Sequence, residues 1–269
     1  MAEDYYDLAT SSLPGTKDAL AKAKAAVQRA LELDDTLARA HATPGVIKGE
    51  EWDWSGAEIA FKRALELNPN LASAHGTYSG YLTLVGRHTE ALAEIKRAQE
   101  LDPLNMHLRI VEGAALHNAH HFDEAIRQFQ HVIELQPDRS FNYYWLGVSY
   151  AMKGMYPEAI AAYQKFSSLE GETTSEQIYL GYSYAMSGQR EKALAILNKL
   201  QTTKEYVSPA ELAILYTGLG NTEVALKELE GAYVVHDLQM QYLKVEPHYD
   251  ALRSDPRFVD LMRRVGFTP

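Results

Sequence analysis

Apolar residues recur along this chain at steps of three and four, the spacing that lines one face of an α-helix. That pattern is itself repeated. Aligned on one alanine, the chain reads Ala57 in WSGAEIAFKRALELNP, Ala91 in HTEALAEIKRAQELDP, Ala125 in HFDEAIRQFQHVIELQP, Ala159 in YPEAIAAYQKF and Ala193 in REKALAILNKL, each 34 residues after the last. Ala23 falls one step earlier, and Ala225 follows after a shorter step of 32. Phe61, Ile95, Phe129, Tyr163 and Leu197 lie four residues after the alanine, Gly45, Gly113, Gly147 and Gly181 twelve before it, and Pro69, Pro103 and Pro137 twelve after it.

Each class of position has a physical reading. A repeat of this length holds two amphipathic helices, and the hairpin they form cannot bury its apolar face alone, so neighbours must stack. The alanine and the glycine are small where the two antiparallel helices cross. The large residue after the alanine fills the gap to the next hairpin. Proline cannot donate a backbone hydrogen bond, so it stops the second helix. Gly86, Gly154, Gly188 and Gly220 supply the turn inside the hairpin, where a positive φ is needed. Ser55 and Glu58 read as a capping box, and Pro157 sits in a first turn, where proline is harmless.

Two places break the pattern. Pro44 falls well inside the first helix of its repeat and predicts a kink between Ala40 and Pro44, favoured over a late start with Pro44 in the first turn. The stretch SSLPGTKDA interrupts what would be the first helix of an earlier repeat, so residues 1–37 read as a partial unit. Repeat units follow over 38–239, and 240–269 reads as C-terminal capping helices. In that last segment, Asp255 and Pro256 open a final helix whose Phe258, Leu261 and Met262 share one face.

These residues resemble the tetratricopeptide repeat family. The best unit spans 140–173, with Leu146, Gly147, Tyr150, Gly154, Tyr156, Ala159 and Tyr163 on the family pattern and Gly171 standing where the pattern has proline. The resemblance implies an all-α fold, a right-handed superhelical solenoid of helix hairpins. The segments EWDWSGAE, ELDPLN and YDALRSDPRFVDLMRRVGF are similar to the C-terminal repeat arrays of bacterial signalling proteins that carry winged-helix, Ser/Thr kinase or adenylate cyclase domains. It implies an accessory, non-catalytic module that binds a protein or peptide in its concave groove. Self-association, pairing an attached effector domain into a homo-oligomer, is the alternative, and an enzyme a distant one.

Composition narrows the partners. The net charge of −10 lacks the clustered Lys and Arg that nucleic-acid phosphates need, so no nucleic acid is expected. Apolar runs fall far short of the roughly 18 residues that suggest a membrane span. With Cys 0, neither disulfides nor thiolate metal sites are available. A cytoplasmic location is expected, or a periplasmic one if a membrane span lies upstream.

Carrying family geometry over, the groove should be lined by Phe141, Tyr144, Trp145, Val148 and Met152 in one repeat and by Ile178, Tyr179, Tyr182 and Met186 in the next. Ile214 follows beyond them. Such an aromatic and methionine strip, if water reaches it, marks a peptide-binding surface; the plainer reading is packing between neighbouring first helices. Some family members grip a C-terminal carboxylate with Lys, Asn and Arg, but the matching positions here hold residues such as Ala42, Val46, Gly76, Thr77 and Val111. His117, His120 and His121 have a spacing that could put two imidazoles on one metal, yet no carboxylate is arranged behind them and a solvated helix end is the preferred reading. No cofactor, metal or catalytic residue is expected: G-x-S-x-G, H-E-x-x-H and a phosphate-binding glycine loop are all absent from the sequence.

Overall fold

A computed structural model describes residues 24–25, 27–32 and 36–267. Among the described residues all regular structure is helical. In chain order the helices are α1 (Ala38–Glu50), α2 (Trp54–Leu67), α3 (Ala72–Leu84), α4 (His88–Leu101), α5 (Met106–Asn118), α6 (Phe122–Leu135) and α7 (Ser140–Met152). They continue with α8 (Tyr156–Glu170), α9 (Thr174–Met186), α10 (Arg190–Thr202), α11 (Pro209–Gly218) and α12 (Thr222–Val235). Two 3-10 helices, Leu238–Tyr242 and Pro247–Leu252, and a last helix α13 (Pro256–Arg264) close the chain. The chain divides between Val111 and Glu112 into two compact parts.

In the N-terminal part α1 packs on α2 and α3 on α4. The crossing shows why glycine holds its phase. A Cβ added at Gly45 would lie 2.8 Å from the Phe61 ring, closer than real Cβ contacts allow. At the same phase in the next hairpin stands Ser79, opposite the slimmer Ile95, and its hydroxyl donates to the carbonyl of Ala91 at 2.8 Å. Helix α1 begins at Ala38 and contains Pro44, so it does not start late. The N-cap of α2 is Asp53, whose carboxylate accepts from the Gly56 amide at 2.9 Å, not Ser55 as the capping-box reading has it. An aspartate carries the full charge that a helix N-terminus favours, and it stands two residues earlier.

The C-terminal part repeats the device. A Cβ at Gly113 would meet the Phe129 ring at 2.6 Å, and one at Gly147 the Tyr163 ring at 2.7 Å. Ala125, Ala159, Ala193 and Ala225 are all fully buried. Ala159→Leu is therefore expected to overpack the crossing of α7 and α8 and lower stability by about 1–3 kcal/mol; an unchanged urea midpoint would show that the crossing has room to spare.

The hairpin turn needs one residue in the left-handed region. Glycine takes it at Gly86, Gly154, Gly188 and Gly220, with φ between 73 and 80. At the same phase Trp52 and His120 take it too, each with φ 62. Fold position here overrides residue preference, since a bulky side chain adopts this conformation only when its surroundings fix it.

The C-terminal helix forms as its sequence indicates. Asp255 caps α13 by accepting from the Arg257 amide at 2.9 Å, and Phe258, Leu261 and Met262 are buried. Helix α13 lies on α12, where Arg257 pairs with Glu223 at 2.7 Å and Arg264 with Glu230 at 2.6 Å.

Candidate functional site

The first helices of the C-terminal hairpins form one aromatic face. On α7, Phe141 stacks on Tyr144 with ring centroids 6.1 Å apart, and Trp145 meets both rings edge-on. Behind them Trp145 stacks on Phe129 of α6 at 5.9 Å. Tyr144 reaches across to Tyr179 of α9, ring edge to ring face, at 5.4 Å. Offset and edge-to-face pairs of this kind add to simple burial.

Access to the strip divides its members. Phe141 is 49% exposed and Met186 43%, while Tyr144, Trp145 and Met152 are half-buried. Val148 and Ile178 are buried, and so are Tyr179 at 6% and Tyr182 at 7% exposure. Ile214 is buried as well. An open strip running through all of these residues is therefore corrected: Val148, Ile178, Tyr179 and Tyr182, and Ile214 beyond them, are closed to solvent.

What closes part of the strip is the chain itself. The imidazole of His248 sits edge-on against Tyr179 at 5.1 Å and Tyr182 at 4.5 Å. Next to it, the Tyr249 hydroxyl donates to the carbonyl of Ala210, at the start of α11, at 2.6 Å. Asp250 lies 3.7 Å from His120, which follows α5. The segment 246–250 thus touches residues of three hairpins of this part, α5–α6, α9–α10 and α11–α12.

Its entry is anchored by Asp237. That carboxylate accepts from Ser208 Oγ at 2.7 Å and from Tyr206 Oη at 3.2 Å, and from the segment's own Gln239 amide at 2.9 Å. Its exit is tied by Arg253, which donates to the carbonyls of Lys244 at 2.7 Å and Glu246 at 3.0 Å. Between the two, Glu246 accepts from the His248 amide at 3.1 Å and pairs with His248 Nδ1 at 2.6 Å. Burial opposes ionisation of Glu246, but the charge and hydrogen bonds of His248 outweigh it and hold the carboxyl below its ordinary range.

The three histidines near the end of α5 go to different partners. His117 is buried, with Nδ1 3.1 Å from Ser149 Oγ, and burial pushes it down to about 3, so it stays neutral. His120 faces Asp250, and His121 pairs with Glu124 at 3.1 Å. No cluster of three or more His, Cys, Asp or Glu suited to a metal occurs among the described residues. In the N-terminal part, an open depression of about 490 Å³ is lined by Lys62, Leu65, Glu66, Tyr78, Arg87, Glu90 and Glu94. Arg87 there is already held by Glu58 at 2.5 Å and Glu90 at 2.6 Å.

Comparison with known proteins places this architecture. The tetratricopeptide repeat family model matches residues 142–169 and 177–203, the hairpins α7–α8 and α9–α10. These two hairpins are tetratricopeptide repeats. The fold is similar to the crystal structure of PilW, a widely conserved type IV pilus biogenesis factor, with 19% identity and TM-score 0.62 over 78% of this chain and 96% of that one. It is also similar to pilF of Pseudomonas aeruginosa, with 19% identity and TM-score 0.55 over 74% and 90% of the two chains. MamA from Desulfovibrio magneticus RS-1 matches at 18% identity and TM-score 0.50 over 61% and 93%. At these identities the likeness is one of fold. No curated protein matches the sequence. Among the described residues, no helix is long and apolar enough to cross a membrane.

The chain also buries acids that the sequence pattern did not single out. Glu211 on α11 is pushed from 4.5 up to about 7, chiefly by burial and further by Asp237 and Glu246, against the hydrogen bond it accepts from Ser175. Below pH 4.5 this acid is neutral whether the chain is folded or not. Between about 4.5 and 7 only the unfolded chain ionises it, so stability falls as pH rises through that window. Glu211→Gln is expected to remove that slope, a gain over the native chain of up to roughly 3 kcal/mol above pH 7. Urea titrations of the two proteins at pH 4 and pH 8 check it; a constant difference between them would refute it. Neither Glu211 nor the 246–250 segment carries a periodic signal. The segment falls outside the repeat, and a single Glu-Pro-His-Tyr run says nothing by itself about where it docks.

Proposed function

We propose that this chain is a non-catalytic scaffold that binds a protein or peptide partner on the first-helix face of its C-terminal part, with the open members of the aromatic strip as the contact. The observation that carries the reading is Phe141, a large ring half in water at the lip of a rigid cluster that includes Tyr144 and Trp145. An exposed ring held by stacked neighbours loses little entropy when a partner covers it, and aromatic anchors supply most of the energy in such contacts. Met152 and Met186 flank the strip with adaptable side chains. The context we infer is an accessory region of a bacterial regulator acting in the cytoplasm, supported by the EWDWSGAE and YDALRSDPRF segments.

The test is selection of peptides from a random displayed library on the full chain. Selected peptides should carry apolar or aromatic anchors and lose at least tenfold in affinity, about 1.4 kcal/mol, for Phe141→Ala. Peptides that bind native and variant chains equally would overturn the assignment. Self-association is the alternative reading, and light scattering over a dilution series separates the two: a dimer without added peptide favours it.

A further inference from the structure

The segment that crosses the aromatic face is built differently from everything around it. It lies outside the 34-residue period and contains no α-helix. Its shape is held largely by its own atoms. Glu246 caps its 3-10 helix, Pro247 occupies the first turn, and Arg253 folds back onto the carbonyls of Lys244 and Glu246. Its hold on the rest of the chain is through side chains: the His248 ring on Tyr179 and Tyr182, the Tyr249 hydroxyl on Ala210, Asp250 beside His120, and the buried Leu243, Val245 and Leu252. A short segment that fixes its own turn and inserts ring side chains into a face made by another element has the construction of a preorganised ligand.

We propose that residues 243–252 act as an intramolecular ligand of the first-helix face. In trans, the same face takes a partner segment of the same chemistry: a carboxylate, a proline-set turn and two adjacent ring side chains. This rests on the scaffold reading above and names its ligand class. The receptor is the wall made by Tyr179 and Tyr182, three residues apart and therefore neighbours on α9, together with the Ala210 carbonyl in the first turn of α11. The first takes a flat ring in edge-to-face contact with both phenols. The second accepts one hydroxyl. A partner gains the site only by displacing the chain's own segment, so affinity in trans is reduced by the fraction of time the segment is docked.

A labelled peptide of residues 243–253, titrated onto the full chain by fluorescence anisotropy, tests this. Tyr249→Ala removes the anchoring ring and hydroxyl of the cis segment; if it keeps native helical circular dichroism, it should bind the peptide at least tenfold more tightly than the native chain. Adding Tyr182→Ala should abolish the gain, and a peptide with alanine in place of the tyrosine should not bind. His248→Ala, which removes only the imidazole, serves in the same way if the first variant does not fold. Equal binding, or none, by native chain and folded variant would overturn the proposal. The native chain gives an independent check: amides of residues 243–252 should exchange at least tenfold faster than those of α9, and exchange of both in one cooperative step would also overturn it. Neither result bears on the Phe141 test, so the two readings fail separately.

Discussion

Phe129→Ala is expected to lower stability by about 3–5 kcal/mol, the largest effect of any single truncation considered for this chain. The ring is fully buried, stacked on Trp145, and rests on Gly113, where even one added methyl would lie 2.6 Å from it. Removing it therefore opens a cavity against a rigid crossing that has no side chain to move in. The same geometry predicts a strong coupling. Gly113→Ala alone should cost about 1–3 kcal/mol by overpacking, but in the Phe129→Ala background the added methyl enters the vacated space and should cost little. A double-mutant cycle in urea measures the difference. Additive effects would mean that the ring and the glycine do not share the crossing.

Truncation after Asp250 should be more damaging still, and its readout is aggregation. The cut removes α13 with Phe258, Leu261 and Met262, and with them the buried Leu252, Val265 and Phe267. Each such side chain is worth about 1.5–3 kcal/mol in its buried place. The cut also uncovers the α12 surface on which α13 lies. It removes Arg253, the tie that closes the 243–252 segment on itself. A stack of hairpins presents apolar surface wherever it ends, and a terminal element with a polar outer face is what keeps it in solution. Size-exclusion chromatography of the truncated chain should show aggregates and a melting temperature lowered by about ten degrees or more. A monomeric product of unchanged stability would remove α13 from the role of lid.

The two predictions draw on different kinds of information. The Phe129–Gly113 crossing is legible in the sequence because it recurs. Gly45 with Phe61 and Gly147 with Tyr163 make the same pair sixteen residues apart, and each repeat is an independent copy of one packing problem. Short-range spacing also reveals α13, since Asp255 and Pro256 announce a helix start wherever they stand. The groove was legible only as a helix face. The stripe of Tyr144, Tyr179 and Tyr182 follows from helical periodicity, but periodicity cannot say whether water or protein covers it.

By itself, then, the sequence determined the helical hairpins, their phase, the small residues at each crossing and the capped last helix, because all of these depend on contacts within one repeat or between neighbours and are written repeatedly. Tertiary structure alone decided that Trp52 and His120 adopt the turn conformation glycine takes elsewhere, and that α1 runs on through Pro44. It alone decided that residues 246–250 come back to cover Tyr179 and Tyr182. Such a contact joins residues more than sixty positions apart and occurs once. A single long-range pairing leaves no periodic trace, and its free energy comes from the shape of a face that exists only after the hairpins have stacked.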